Sequence, residues 1–258
     1  KQREFLAVMG LADEFTVEMA QDIMQTGDAA ELLAALTGQN AFVRRLPDGV
    51  TYRFHHMMKE CALRVFLTLP QERRNDCRRR FGAWYEQHRQ YLHAMQAYYQ
   101  SGDYHALLRV VQQDAGILLS SLDPKNVLDF LDECPEDTLK AHPAALLVLM
   151  RSMFNWRNIP RMLALRQLLL TAIDEDPQRS AEERGNLLGE CDLIMSFLQY
   201  NDIAAMSRLH RSAAARMTRP AISIRNEGSW TFGSPSVLMM FHRCLLYTSD
   251  AADEGLGV

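Results

Sequence analysis

The stretch DAAELLAALTGQNAFVRRLPDGVTYRFHHMMKECAL, residues 28–63, decides the fold, because the spacing of its apolar residues changes twice. Leu32, Leu33 and Leu36 fall on one side of a helix that ends at Gly38. Two short segments rich in β-forming residues, AFVRRL and VTYRF, follow and are separated by Pro-Asp-Gly. This arrangement predicts a β-hairpin, after which the helical spacing returns.

Helical spacing also precedes this stretch. Residues 2–12 predict a first helix, and Thr16 is placed to cap a second helix that ends at Gly27. Three helices, a hairpin and a fourth helix predict a winged-helix domain over residues 1–69. In the fourth helix we expect five residues to pack into the core: Met57, Cys61, Leu63, Val65 and Phe66.

The region that follows Pro70 is predicted to be helical. The expected segments are 71–88, 91–101, 104–121, 124–133, 144–155, 159–174, 181–199 and 202–217. Helix pairs of this length predict an α-solenoid of antiparallel pairs over residues 70–243, similar to tetratricopeptide (TPR) repeats, although the strict repeat pattern does not recur cleanly. The predicted fold class is therefore mainly α, with a small winged-helix domain followed by a TPR-like helical array.

Composition narrows the classes of protein. The 258 residues carry a formal net charge of -4 and 48% hydrophobic residues, which gives no overall attraction to nucleic acid or acidic membranes. The five cysteines form no CxxC pair, so we expect reduced thiols in a cytoplasmic protein. No apolar run reaches the roughly 20 residues that span a bilayer.

The adjacent histidines His55 and His56 leave three interpretations: a metal site, a catalytic pair, or a seam between hairpin and helix. Neighbours on a helix point about 100° apart, and the HExxH spacing is absent. We therefore expect a structural role, in which one histidine satisfies free N–H groups at the helix start or packs the hairpin on the helix. No nucleophile–base pair, metal set or cofactor loop is recognisable, so we expect no enzymatic activity.

Residues 28–63 resemble the winged-helix segment of MalT-like, ATP-dependent LuxR-type regulators, whose hairpin ends in Y-R-[FY]-H-H-[LM]-[MF]-[KR]-E. The matching residues are Asn40, Phe42, Tyr52, Arg53, Phe54, His55, His56, Met57, Met58, Lys59 and Glu60. The following segment is similar as well, at Trp84, Tyr85, Glu86, Ala94, Gly102 and Asp103, with Tyr98 in place of the usual His and Ser101 in place of the usual Ala. The resemblance covers about residues 1–243, and we expect its motif residues to be structural.

The resemblance implies a parent protein with an N-terminal ATP-binding P-loop module, a winged helix, a helical sensor array and a C-terminal DNA-binding module. This chain has no G-x-x-x-x-G-K-[ST] and corresponds to the middle part, so we expect it to bind no cofactor itself. The implied partners are a small-molecule inducer or a regulatory protein on the array, and DNA only through the missing module. No membrane partner is implied. The alternative is a standalone helical-repeat scaffold that binds another protein.

Two segments are candidates for nucleic-acid contact, the third helix and the arginine-rich stretch of residues 73–80. The third helix, in which a winged helix would read DNA, contains Glu31 and no Lys or Arg. The arginines of RRNDCRRR, residues 73–80, spread around a helix and are expected to cover its apolar side. We therefore expect neither segment to bind DNA.

The last part of the chain raises two further points. The stretch NEGSWTFGSPSVL, residues 226–238, holds Trp230, Phe232 and Ser234, which form either a ligand or partner loop or a loop buried between repeats. Residues 244–258 begin with a segment, Cys244–Glu254, that resembles a translated sequencing adapter. We expect the native sequence to end near Arg243 and assign no domain to residues 244–258.

Overall fold

The computed structural model describes residues 1–38, 43–199 and 201–224, apart from the side chains of Ser120 and Ser121. The chain forms two compact units, one of which comprises Lys1–Leu107 while the other begins at Leu108. The first unit holds a winged helix with a small sheet and one helix pair, and the second holds packed helix pairs. The predicted fold class is confirmed, whereas the predicted domain boundary at residues 69 and 70 stays a prediction.

The described residues form the following elements. The helices are α1 (Gln2–Met9), α2 (Val17–Met24), α3 (Ala29–Gly38), α4 (His56–Leu67), α5 (Gln71–Gln87), α6 (Tyr91–Ser101), α7 (Tyr104–Asp114), α8 (Pro124–Glu133), α9 (Glu136–Lys140), α10 (Pro143–Asn155), α11 (Ile159–Asp174), α12 (Ala181–Ser196) and α13 (Ile203–Arg216). Short 3-10 helices cover Leu118–Ser121 and Phe197–Gln199. The strands are β1 (Glu14–Thr16), β2 (Val43–Arg45) and β3 (Thr51–Phe54).

The hairpin of β2 and β3 is the predicted wing. Gly49 has a φ of 72°, the left-handed conformation that glycine adopts without steric cost. Asp48 Oδ1 accepts hydrogen bonds from the backbone N–H groups of Val50 and Thr51, each at 3.0 Å. The Pro-Asp-Gly turn forms because each of its residues suits its position, and the hairpin prediction is confirmed.

Strand β1 was not predicted. It pairs antiparallel with β3, so the sheet has the order β1-β3-β2. Three residues are too few to show the alternation that identifies a strand from sequence, and only Phe15 among them is buried. Glu14–Thr16 becomes a strand because β3, far along the chain, supplies its hydrogen-bonding partners.

Thr16 performs the predicted capping of α2. Its side-chain oxygen accepts a hydrogen bond from the Met19 N–H at 3.1 Å. We expect Thr16→Ala to lower the free energy of unfolding by about 1 kcal/mol, because one helix-start N–H loses its partner. Thr16→Ser should retain most of the stability, and urea denaturation of both variants would test this. Equal losses in the two variants would show that the cap is not the cause.

The core of the first unit is built around Phe15. Its ring centroid lies 5.2 Å from that of Phe54 on β3 and 6.4 Å from that of Phe5 on α1. Phe15 is 2% exposed, and Phe5 and Phe66 are fully buried. The sheet and the helices therefore share one apolar interior.

Helix α4 packs differently from the prediction. It buries Ala62 and Phe66, whereas Met57 is 61% exposed, Leu63 is 43% exposed and Cys61 is also exposed. The predicted packing of these three side chains was wrong. Within the first unit α4 packs mainly on α1, where Gly10 leaves room for Ala62, and this buries only one side of α4.

Helices α5 and α6 form the helix pair of the first unit. Gly82 lies against the Tyr98 ring, since a Cβ at position 82 would come within 2.6 Å of it. The Tyr98 hydroxyl donates a hydrogen bond to Glu86 Oε2 at 2.8 Å. The two residues that replace or match the family pattern here, Tyr98 and Glu86, therefore join the two helices.

In the second unit, α10 pairs with α11 and α12 pairs with α13. Helix α10 is buried on every side from Pro143 to Met153, as expected from the continuous apolar run of residues 143–150. The predicted helix 104–121 is interrupted after α7, where Ala115 and Gly116 have φ values of 53° and 74°. Helix α9 was not predicted, because it is only five residues long.

His210 on α13 makes a polar contact with α12. Its Nε2 lies 3.0 Å from the hydroxyl of Ser196, which is fully buried on α12. Burial lowers the pKa of His210 below its usual 6.5.

The unfolded chain binds a proton at His210 more readily than the native chain does. The contribution of His210 to the free energy of unfolding should therefore be fully present above pH 6.5 and be lost as the pH falls below it. The free energy of unfolding should therefore decrease less between pH 7 and pH 5 in His210→Gln than in the wild type. Denaturation curves at several pH values would test this. Parallel pH profiles for the two proteins would contradict it.

The described cysteines are free, and Cys77, Cys134 and Cys191 are buried. Burial raises the pKa of Cys134 and of Cys191 to about 11, which keeps both thiols protonated near neutral pH. Among the helices in the described ranges, none combines the length and the apolar composition needed to cross a membrane.

Candidate functional site

A cleft of about 780 Å³ opens in the first unit where β3 runs into α4. Five basic side chains line the cleft. Two carboxylates complete its wall, one directly before β1 and one on its first residue. The seven charged or titratable residues are Arg44, Arg53, His55, His56, Lys59, Asp13 and Glu14. We call this the cationic cleft.

The register of the sheet places three of these residues in one row. Arg53 of β3 lies opposite Arg44 of β2 on one side and opposite Glu14 of β1 on the other. Residues directly opposite each other project from the same face of a sheet. Two like charges in such positions repel, and Glu14 offsets the repulsion by forming an ion pair with Arg53.

The two histidines lie at the start of α4. His55 is the residue before the helix, in an extended conformation with φ -63° and ψ 141°, and His56 is the first helical residue. Their ring centroids are 4.3 Å apart and both side chains are exposed. The His55 side chain accepts no capping hydrogen bond from the helix N–H groups, so the first of the two structural roles expected for a histidine is not filled by His55.

The cleft holds three Arg and Lys side chains, and two of them already form ion pairs within the unit. Arg53 pairs with Glu14, and Lys59 pairs with Asp13. The hydrogen bond from Lys59 holds the pKa of Asp13 below its usual value. Arg44 is exposed and forms no ion pair with any residue that the structure describes. The cleft therefore presents one unpaired guanidinium beside two imidazoles that can donate hydrogen bonds.

Two aromatic residues that the sequence singled out as structural, Trp84 and Tyr85, lie on α5 of the same unit. Trp84 is buried and stacks on His88, with ring centroids 4.0 Å apart. Burial, and secondly the charge of Asp13, raises the pKa of Tyr85 to about 12. Both aromatic side chains therefore serve packing in this structure.

The structure brings together only part of the residues that the sequence singled out. Arg53, His55 and His56 line the cationic cleft, whereas Glu60 is exposed outside its lining and Tyr52 stacks on Phe15 with centroids 6.1 Å apart. Asn40, Phe42, Trp230, Phe232, Ser234 and residues 244–258 lie outside the described residues.

Sequence reasoning did not identify Asp13 and Glu14 as part of a site. From the sequence, Asp13 and Glu14 simply lie between two predicted helices, because nothing local links them to residues about forty positions later. Glu14 and Arg53 are 39 positions apart, and Asp13 and Lys59 are 46 positions apart. Only the pairing of β1 with β3 brings these charges together.

The side chains around the histidine pair are more typical of an anion site than of a metal site. Among residues 1–38, 43–199 and 201–224, no group of three or more His, Cys, Asp or Glu side chains is placed to hold a metal ion. His55 and His56 are flanked by cationic side chains, which would repel a metal cation. The cleft is suited instead to hydrogen bonding and charge pairing with an anionic group.

Comparison with known families supports the assignment of a winged helix to the first unit. Residues 1–75 match the family model described as the MalT winged helix domain. Searches among curated proteins and among solved structures give no match for the chain. The part of the chain that carries the cationic cleft is thus similar to the MalT winged helix domain.

Proposed function

We propose that this chain is the regulatory middle part of a signal-responsive, ATP-dependent LuxR-type transcriptional regulator. A MalT-type winged helix at residues 1–75, followed by packed helix pairs, supports this proposal. In it, the helical array receives an inducer or a regulatory protein. The winged helix then passes the change to the nucleotide-binding module of the parent protein.

The distribution of charge in the winged helix is the observation that carries the proposal. Helix α3, which would enter a DNA groove, has Glu31 in its first turn and no Lys or Arg. Protein–DNA affinity depends strongly on Lys and Arg contacts to phosphates. Five basic side chains lie instead in the cationic cleft, at the junction of β3 and α4. This favours contact with an anionic surface of another protein module over the reading of DNA.

The ion pairs of the cleft are suited to a switch. Arg53 and Lys59 are partly exposed, and each holds a carboxylate of the same unit. Exposed pairs of this kind contribute at most about 1 kcal/mol, so an incoming carboxylate or phosphate can replace Asp13 or Glu14 at small cost. A partner that binds one state of the cleft better than the other shifts the balance of states by that difference.

The experiment uses the intact reading frame that contains this chain. We expect it to encode a P-loop module upstream and to bind ATP or ADP. A triple variant, Arg44→Gln with His55→Gln and His56→Gln, should change the rate of nucleotide release by about tenfold, which corresponds to roughly 1.4 kcal/mol of lost contacts. Stopped-flow fluorescence with a labelled nucleotide would measure the rate.

Arg45→Gln is the matched control. Arg45 is exposed on the same strand as Arg44, but alternation along a strand places it on the other face of the sheet. The parent protein with Arg45→Gln should therefore release nucleotide at the wild-type rate. Wild-type release from the triple variant would refute the coupling, and an intact reading frame without a nucleotide-binding module would refute the regulator itself.

A further inference from the structure

The segment that follows α13, residues 217–224, lies along α12, and we call it the strap. It forms neither helix nor strand, and Ser223 is its one buried residue. Its attachment is therefore unlike that of the helices, which pack through apolar side chains. Polar groups of α12 hold the strap.

Three polar residues of α12, one helical turn apart, face the strap: Glu182, Asn186 and Glu190. Asn186 Oδ1 accepts hydrogen bonds from the Thr218 N–H at 2.8 Å and the Arg219 N–H at 3.3 Å. Asn186 Nδ2 donates to Thr218 Oγ1 at 3.0 Å, and Thr218 Oγ1 donates to Glu182 Oε1 at 2.7 Å. Asn186 thus binds mainly the backbone of the strap.

Glu190 holds the other end of the strap. Its fully buried carboxylate accepts a hydrogen bond from the Ser223 N–H at 2.5 Å and lies 3.4 Å from Arg219 Nη1. A buried carboxylate is costly unless it is hydrogen-bonded and paired. The strap supplies both kinds of partner, so the docking of the strap and the burial of Glu190 depend on each other.

Two glycines of α12 permit this close approach. A Cβ at position 185 would lie 2.8 Å from the Arg216 carbonyl oxygen, and a Cβ at position 189 would lie 2.5 Å from Met217 Cγ. Each glycine directly precedes one of the acceptors, in the sequence GNLLGE. The glycines let the end of α13 and the first residue of the strap approach α12 closely enough for Asn186 and Glu190 to reach the backbone.

We propose that Glu182, Asn186 and Glu190 form a polar latch, and that the strap detaches from it locally while α12 and α13 stay packed. Segments with few buried apolar contacts open at lower free energy than the helices beside them. The helix pair itself is held by buried apolar residues of both helices, namely Leu187, Cys191, Ile194, Met206 and Ala213. This inference is independent of the proposed function.

One feature of the docked strap opposes docking. The Ser223 hydroxyl is buried and has no hydrogen-bond partner among the residues that the structure describes. An unsatisfied buried hydroxyl disfavours the state that buries it. The hydrogen bonds of the latch therefore hold the strap in place although burial of the Ser223 hydroxyl costs free energy. Such a cost favours local opening of the strap.

Hydrogen exchange of the full chain, followed by mass spectrometry, tests the latch. Asn186→Ala, and Thr218→Val on the strap itself, should each speed the exchange of the strap amides by about tenfold, because a tenfold change follows from the loss of roughly one hydrogen bond. Ser223→Ala should slow it. Exchange of the α13 amides should not change in any of the three variants.

Arg184→Gln provides the matched control, because Arg184 is on α12 and its described ion pair is with Asp174, outside the strap. It should leave strap exchange unchanged. Equal acceleration of the strap and α13 would overturn the proposal, since the strap would then open only with the helix pair. Unchanged strap exchange in both Asn186→Ala and Thr218→Val would overturn it as well, and so would faster exchange in Ser223→Ala.

Discussion

Replacing Phe15 by alanine should lower the free energy of unfolding by about 3–5 kcal/mol, the usual cost of removing a buried phenylalanine. Phe15 is 2% exposed, and its ring contacts the rings of Phe5, Tyr52 and Phe54. It is also the one buried side chain of β1, so its loss should detach this strand from β3. Guanidinium denaturation followed by circular dichroism would measure the change.

Val50→Ala provides the comparison for Phe15→Ala. Val50 is an apolar residue of the wing, directly before β3, but it is 59% exposed. Its replacement should change the stability by no more than about 0.5 kcal/mol, as is usual for exposed sites. A loss below about 1 kcal/mol in Phe15→Ala would show that β1 does not depend on this anchor.

Gly116→Ala should lower the free energy of unfolding by about 2–4 kcal/mol, because it combines backbone strain with crowding. Gly116 has a φ of 74°, which disfavours any residue with a Cβ. A Cβ there would also lie 2.7 Å from Val148 Cγ1 and 3.1 Å from Arg151 Nη2. Arg151 is buried and donates a hydrogen bond to the Ala115 carbonyl at 3.1 Å, so it has little freedom to move.

Gly102→Ala separates the two causes. Gly102 has a φ of 72°, but a Cβ at this position would meet no atom within 4 Å. Its substitution should therefore cost only the backbone strain, about 1 kcal/mol. Denaturation curves of the two variants would measure the difference. Equal losses would mean that crowding at Gly116 contributes nothing.

The cationic cleft illustrates how much of a site a sequence can identify. Arg53, His55 and His56 were singled out because they are consecutive or nearly so, in a segment where a strand meets a helix. Their partners Asp13 and Glu14 could not be assigned to them, because the pairing of β1 with β3 is a non-local contact. The sequence also left open whether a histidine caps α4 or packs the hairpin on it, since the orientation of an exposed ring is not set by its position in a helix, and the structure shows no capping by His55.

The same division holds in the helical array. The segments expected at 71–88, 91–101 and 159–174 agree closely with α5, α6 and α11, since long helices carry several turns of apolar spacing. The break after α7 was missed, although Gly116 marks it, because a single glycine can also occur within a helix. The latch on α12 was missed too, since glycine beside a polar residue has no particular meaning until another segment is seen to lie against it.

The sequence by itself determined most of the helical segments of this protein, where the wing turns, and which family its first 75 residues resemble. These properties follow from local causes: apolar spacing, turn residues and helix caps. Only the tertiary structure decided that Glu14–Thr16 is a strand, that one side of α4 stays exposed, and that Asn186 and Glu190 hold the strap. Each of these depends on residues distant in sequence, whose contact is settled by the packing of the whole unit and not by their neighbours in the chain.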